Sequence, residues 1–229
     1  MNMKKILGAL LVLMVATLLF TGCQKEVDPN ALPGSWSPSA EIDGEPYTFK
    51  GGKATITKTG NNQFTYICNT SELDSQYKPD SGFVSTAYSI TTDPVYTGFR
   101  AVASSSEDTY YGFVFNHTYN TNTQKHSYYY LVLSDQYFSL KKCVEGSFST
   151  VRDWTQKDAI KANPDENEVL VYKDTNSDIV IKINDTEVCT ITSPSLTIGR
   201  CGICACVSKD DCDNNRTITS TFKFLQFQR

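Results

Sequence analysis

Residues 110–116 read YYGFVFN, residues 127–154 read SYYYLVLSDQYFSLKKCVEGSFSTVRDW, and TQKDAI closes the stretch at Ile160. In a strand, side chains alternate between two faces, so Tyr111, Phe113 and Phe115 share one face and Tyr110, Gly112, Val114 and Asn116 the other. The next run repeats the pattern, with Tyr129, Leu131 and Leu133 on one side and Tyr128, Tyr130 and Val132 on the opposite side. Phe138 and Leu140 begin a third strand and Glu145-Gly146 turns it. Phe148 to Trp154 then leads into a brief helical turn ending at Ile160. Both faces of this segment are apolar or aromatic, which marks it as the centre of the fold.

Working outward, the rest of the chain agrees with a β protein. It has 229 residues, 12% aromatics including thirteen tyrosines, and a formal charge of −4. β-Branched and aromatic side chains favour strands, and the length suffices to bury a sizeable core. Beyond Lys4-Lys5 near the N-terminus, Lys141-Lys142 is the one paired basic run in a chain of net negative charge, which argues against nucleic acid as a partner. Hairpin-like alternation appears at Ala54/Ile56 and Phe64/Tyr66/Cys68 around the Gly60-Asn61-Asn62 turn. Residues 70–81 read as a loop or short helical turn, and Phe83 to Ile90 and Thr97 to Ala103 read as strands. Asn116 to Ser127, which holds His117 and His126, is rich in turn formers and is predicted to be an exposed loop.

The first 22 residues have the pattern of a targeting signal. Lys4-Lys5 precede an uncharged apolar run, Ile6 to Phe20, too short for an ordinary membrane span. The run ends at Leu19-Phe20-Thr21-Gly22-Cys23, which resembles a bacterial lipoprotein box, although Phe20 replaces the usual Leu. The resemblance implies cleavage before Cys23 and lipidation of that cysteine, with enough acyl chains for stable anchoring. Removal of residues 1–22 takes away two lysines and no acid, lowering the charge to about −6. Gln24-Lys25-Glu26-Val27-Asp28 resembles the short signal that sends Bacteroidota lipoproteins to the outer face of the outer membrane; the alternative is a solvated linker. Residues 23–33, with Pro29 and Pro33, form an extended tether, and the domain is expected to occupy 34–229.

Two motifs in the N-terminal third invite other readings. Gly34-Ser35-Trp36 matches the Gly-x-Trp opening of lipocalins, but a lipocalin barrel leaves several later strands without a place. Glu41-Ile42-Asp43-Gly44-Glu45 resembles the acid-rich strand of laminarinase-type glycoside hydrolases, in which a retaining mechanism needs two carboxyls about 5 Å apart. Glu41, Asp43 and Glu45 would be the catalytic residues of that alternative. Against it, Asp43-Gly44 is a turn dipeptide and Pro46 follows at once.

In the C-terminal half an aromatic-Gly-hydrophobic-Phe strand, a Tyr-rich strand, a Phe-x-Leu-x-Lys strand, a Gly turn, and Trp154 with Ile160 six residues on follow in order. Then come Val169 to Lys173, Ile179 to Asn184, Val188 to Ile191, a strand opening at Gly202-Ile203 and a closing strand from Thr221 to Gln228. This order resembles the concanavalin A-like, laminin G-like jelly-roll family. The resemblance spans roughly residues 99–229 and implies an all-β, antiparallel two-sheet β-sandwich with Trp154 anchoring a corner. Such folds host lectins, hydrolases and adhesion modules. The first expectation is a non-catalytic carbohydrate-binding surface lipoprotein in which Tyr128 and Tyr130, then Tyr110, stack on sugar. The alternative partner is another envelope protein, and plain sheet packing is the alternative role for the tyrosines.

The cysteines depart from the family pattern. Cys201, Cys204, Cys206 and Cys212, with Cys68, Cys143 and Cys189, make seven after Cys23. No histidine stands close enough in sequence for a zinc site, and disulfides are the default in an exported protein, with Cys212 returning to Cys201, Cys204 or Cys206. No cofactor is required. Calcium is the one ion considered, at Asp210, Asp211 and Asp213 in the run Lys209–Asn215, whereas Asp174-Thr-Asn176-Ser-Asp178 reads as a hairpin turn.

Overall fold

The computed structural model describes residues 32–40, 42, 47–48, 53–106 and 108–229. In chain order the strands are β1 (Trp36–Ser37), β2 (Tyr47–Thr48), β3 (Ala54–Gly60), β4 (Gln63–Asn69), β5 (Phe83–Ser89), β6 (Gly98–Ser105), β7 (Tyr111–Asn120) and β8 (Lys125–Ser134). They continue as β9 (Tyr137–Val144), β10 (Ser147–Gln156), β11 (Asn167–Lys173), β12 (Ile179–Ile183), β13 (Thr186–Ile191), β14 (Arg200–Ser208) and β15 (Thr217–Gln228). Two 3-10 turns, Thr70–Glu72 and Ser75–Tyr77, and one short helix, α1 (Lys209–Asp213), complete the described elements.

The strands form two sheets with antiparallel pairing throughout. One has the order β13-β12-β11-β6-β15-β4-β3-β2, with β1 added to the end of β15; the other has the order β10-β9-β8-β7-β14-β5. They stack face to face, and the alternation read in the sequence decides what lies between them. Tyr111, Phe113 and Phe115 of β7, Tyr129, Leu131 and Leu133 of β8, and Phe138 and Leu140 of β9 all enter one buried core. Facing them are Phe99, Ala101 and Ala103 of β6 and Phe222, Phe224 and Phe227 of β15. Phe113 sits at the middle, its ring 5.1 Å from Phe99 and 5.7 Å from both Phe222 and Phe224.

Turns are made where side-chain chemistry allows them. Glu145 and Gly146 both have positive φ, the geometry of a two-residue hairpin that matches strand twist. Asp174 caps the β11–β12 hairpin by accepting the backbone N–H groups of Asn176 and Asp178, as expected of a turn. The segment from Lys157 to Ile160 is held by two asparagines: Asn167 Oδ1 accepts from Lys161 N, and Asn184 Nδ2 donates to Ala159 O. Trp154 does not anchor that corner. It lies inside β10 with 37% of its surface exposed, while the fully buried Ile160 plugs the turn.

The longest departure from the sequence reading is the β7–β8 hairpin. The predicted loop from Asn116 to Ser127 is largely strand, with four residues (121–124) outside it, and β7 continues beyond a bulge between Phe115 and Thr118. Asn116, with φ of 51°, takes up the extra residue, and its side-chain amide donates to Leu196 O at 2.9 Å. Gly199 passes so close that a β-carbon there would lie 2.3 Å from the Asn116 carbonyl carbon, so that only glycine fits.

Replacing Phe113 by Ala is expected to destabilise the domain by about 3–5 kcal/mol, because the void lies between both sheets. Phe148→Ala, at a ring 62% exposed, is expected to stay within about 0.5 kcal/mol of wild type. Urea titration of both variants checks the contrast.

Candidate functional site

The face of the six-stranded sheet turned away from the core carries a second apolar cluster. Val114, Tyr130, Val132, Cys204 and Cys206 are buried there, with Phe83, Tyr110 and Tyr128 packed on them. These are the residues that alternate with the core set, so one register places both clusters. Phe83 stacks on Tyr110 at 4.7 Å, and Trp154 closes on both rings at 6.0 and 5.6 Å. Tyr128 and Tyr130 lie 6.0 Å apart, and each meets Phe148 edge-on at 6.3 and 6.0 Å. Six aromatic rings thus run across one outer face, which is unusual for a surface left to water alone.

A groove of about 370 Å³ opens on this face, lined by Ser85, Tyr128, Tyr130, Lys141, Phe148 and Thr150 among others. Its floor is aromatic and its rim carries hydroxyls and the Lys141 ammonium, which stands 5.8 Å from the centroid of Phe83. Burial raises the phenol pKa values of Tyr128 and Tyr110 and pushes that of Tyr130 up to about 12. All three hydroxyls therefore stay protonated and can donate as well as accept hydrogen bonds at neutral pH.

At the far end of the same face the rings give way to polar groups. His117, brought outward by the bulge, stacks on His126 at 5.0 Å and meets Tyr128 edge-on at 5.7 Å. Its Nδ1 lies 2.5 Å from Ser89 Oγ, and its Nε2 lies 2.8 Å from His126 Nδ1. Burial, then His126 and Arg200, lowers the pKa of His117 to about 4, so it is neutral at physiological pH.

No protein-family model and no curated protein sequence matches the chain. Solved structures do share its fold. A prokaryotic β-1,3-1,4-glucanase (lichenase) derived from a mouse hindgut metagenome aligns with 86% of this chain and 99% of its own, at 13% identity and a TM-score of 0.55. A native glycosidic hydrolase aligns with 84% of this chain and 89% of its own, at 10% identity and a TM-score of 0.53. The fold is a concanavalin A-like jelly roll. At these identities the likeness concerns the fold alone.

The jelly roll places the residues singled out from the sequence in different environments. Tyr110, Tyr128 and Tyr130 come together on the outer face. Phe83 and Phe148 join them without having been singled out, as does Trp154, which was expected to anchor a corner, although SFSTVRDW carried a signal: its apolar residues are spaced by polar ones, as in a strand with little to bury. His117 and His126 also belong here, on paired strands rather than in a loop.

The cysteines require a correction. The seven described thiols, including Cys201, Cys204, Cys206 and Cys212, are buried and unpaired. Alternation separates them: Cys201 points into the main core, Cys204 and Cys206 point outward, and Cys212 joins the main core near Cys68. Cys204 and Cys206 approach to 3.8 Å between sulfurs without a bond, and burial raises the thiol pKa values of Cys201 and Cys206.

The calcium reading also meets a different geometry, because Lys209–Asp213 is α1 and not an open loop. Asp211 is buried and closes a capping box, its Oδ2 accepting from Ser208 N and Oγ at 2.9 and 2.5 Å. Asp210 pairs with Arg216 at 3.2 Å and Asp213 pairs with Lys209. All three carboxylates are therefore engaged by protein groups, Asp210 and Asp211 sharing Arg216, and no group of three or more potential metal ligands occurs among the described residues. Glu41, Asp43 and Glu45, with Cys23, lie outside the described residues.

Alkylation with iodoacetamide in denaturant, without reductant, is expected to modify all seven cysteines of the domain. Mass spectrometry showing fewer would mean that one or more is oxidised. Without denaturant, labelling is expected to be slow, because each thiol is buried.

Proposed function

We propose that the domain is a non-catalytic glycan-binding module that holds a sugar chain against the outer aromatic face of the six-stranded sheet. The observation that carries the reading is the grouping of Phe83, Tyr110, Tyr128, Tyr130, Phe148 and Trp154 on one outer face, where Tyr128, Tyr130 and Phe148 line a groove together with hydroxyls and one ammonium. Pyranose rings have apolar faces that stack on aromatic rings and equatorial hydroxyls that need hydrogen-bond partners, and this face offers both. The two fold relatives above are named as a glucanase and a glycosidic hydrolase, and a shared scaffold for glycans supports the same choice.

The lipoprotein box at Cys23 and the Lys-plus-acid run after it support placement of the module on the outer membrane, held by acyl chains and facing the cell exterior. A glycan-binding face presented to the medium suits that location. The competing reading, a docking surface for another envelope protein, fits the polar rim less well, since the core of a protein interface is depleted in charge and Lys141 stands over the rings.

Calorimetry of the 33–229 domain against a panel of neutral and acidic polysaccharides, β-1,3-1,4-glucan among them, is expected to show binding to at least one. Trp154→Ala and Tyr128→Ala should each weaken it by about 2 kcal/mol, roughly thirtyfold, with the fold retained. Absence of heat with every glycan would overturn the proposal. Cys23→Ala is expected to leave the protein unlipidated and to move it from the membrane to the soluble fraction; retention on the membrane would refute the anchor.

A further inference from the structure

The polar end of the outer face contains a charge that no described residue answers. Arg200 opens β14 directly opposite His117, and its Nε is shielded from water with no hydrogen-bond partner among the described residues. None of the ion pairs among those residues involves Arg200. A buried cationic donor left unpaired is costly, and a site that keeps one is suited to an acceptor from outside.

The surroundings of Arg200 are shaped for such an acceptor. A cavity of about 610 Å³ opens beside it, lined by Arg200, His117, Thr118, Tyr119, Thr121 and His126 among others. When Ser89 donates to Nδ1 of His117, the proton of His117 sits on Nε2 and is donated to His126 Nδ1. His126 then holds its own proton on Nε2, free to donate elsewhere. The groups facing His117 are Arg200 from β14, Ser89 from β5 and His126 and Tyr128 from β8, with no carboxylate in contact among the described residues. A divalent cation would be repelled by the guanidinium and would find no third protein ligand there.

We infer that this cavity is an anion subsite that takes the carboxylate of a hexuronate or the sulfate ester of a sulfated sugar, with Arg200 as its charge partner. The inference rests on the glycan-binding reading and narrows it. Tyr128 borders the aromatic groove and also touches His117, so a single chain can stack its rings on the aromatic face while an acidic unit reaches Arg200.

The test compares three tetrasaccharides by calorimetry: a tetragalacturonate, a sulfated galactan fragment, and a neutral galactan of the same length. Wild type is expected to bind one of the acidic chains about tenfold more tightly than the neutral one, and which acidic chain wins tells carboxylate from sulfate. Arg200→Gln should erase that preference while leaving neutral binding unchanged, and Arg200→Lys should keep part of it. Equal binding of acidic and neutral chains by wild type, or an Arg200→Gln domain that folds and keeps the preference, would overturn the anion subsite and leave the glycan reading standing. Failure of all three chains together with the wider polysaccharide panel would overturn both.

Discussion

The two sheets depend on a small group of phenylalanine rings at their interface. Phe113 from one sheet meets Phe99, Phe222 and Phe224 from the other within 5.7 Å, and Phe224 stacks on Phe227 at 5.5 Å. All but Phe224, which is 2% exposed, are fully buried. Because alternate side chains point to opposite faces, fixing Phe113 inward also fixes Gly112 and Val114 outward. A slip of one residue would exchange the faces, and the loss of these aromatic contacts is what forbids it.

The outer face is therefore the complement of the core. The register that buries Tyr129 and Leu131 must present Tyr128 and Tyr130, and their neighbours on β5, β9, β10 and β14 decide whether that presentation is useful. On this molecule the neighbours are Phe83, Lys141, Phe148 and Cys204–Cys206, so the face is apolar in the middle and polar at its margins. The bulge in β7 breaks strict alternation once, and it does so where the face changes from aromatic to basic. The chemistry of the face here follows backbone geometry at one residue, Asn116.

The parts of this arrangement that obey a period of two were legible in the sequence. YYGFVFN and SYYYLVLS divide into inward and outward sets by counting, and the structure divides them in the same way. The extension of the hairpin past Asn116 was hidden, because Asn, His and Lys carry little strand preference: residues 118–120 pair with 125–127 of the same hairpin, and the bulge at Asn116 is held by Leu196, 80 residues away. Trp154 was misplaced for a related reason: tryptophan suggests a core anchor, but its strand lies at the sheet edge, with core on one side only. The cysteines were misread through compartment, since export favours disulfides, whereas pairing requires thiols on the same side of a strand within reach of each other. Arg200 left no mark in the sequence, as lack of a partner shows only after folding.

Gln228, the penultimate residue, is buried and ties four segments together. Its side chain accepts from Thr97 and from Lys173 N and donates to Pro33 O and Lys173 O, at 2.7 to 3.0 Å, while β1 pairs with the backbone beside it. A pull on the chain ahead of Pro33 is thus delivered to the end of β15, which is flanked by β6 on one side and β4 on the other. Tension would have to break the short β1 pairing and the glutamine contacts before it reached the long strands. The first few residues can peel away as a mechanical fuse while the sandwich, and the face it presents, stay whole.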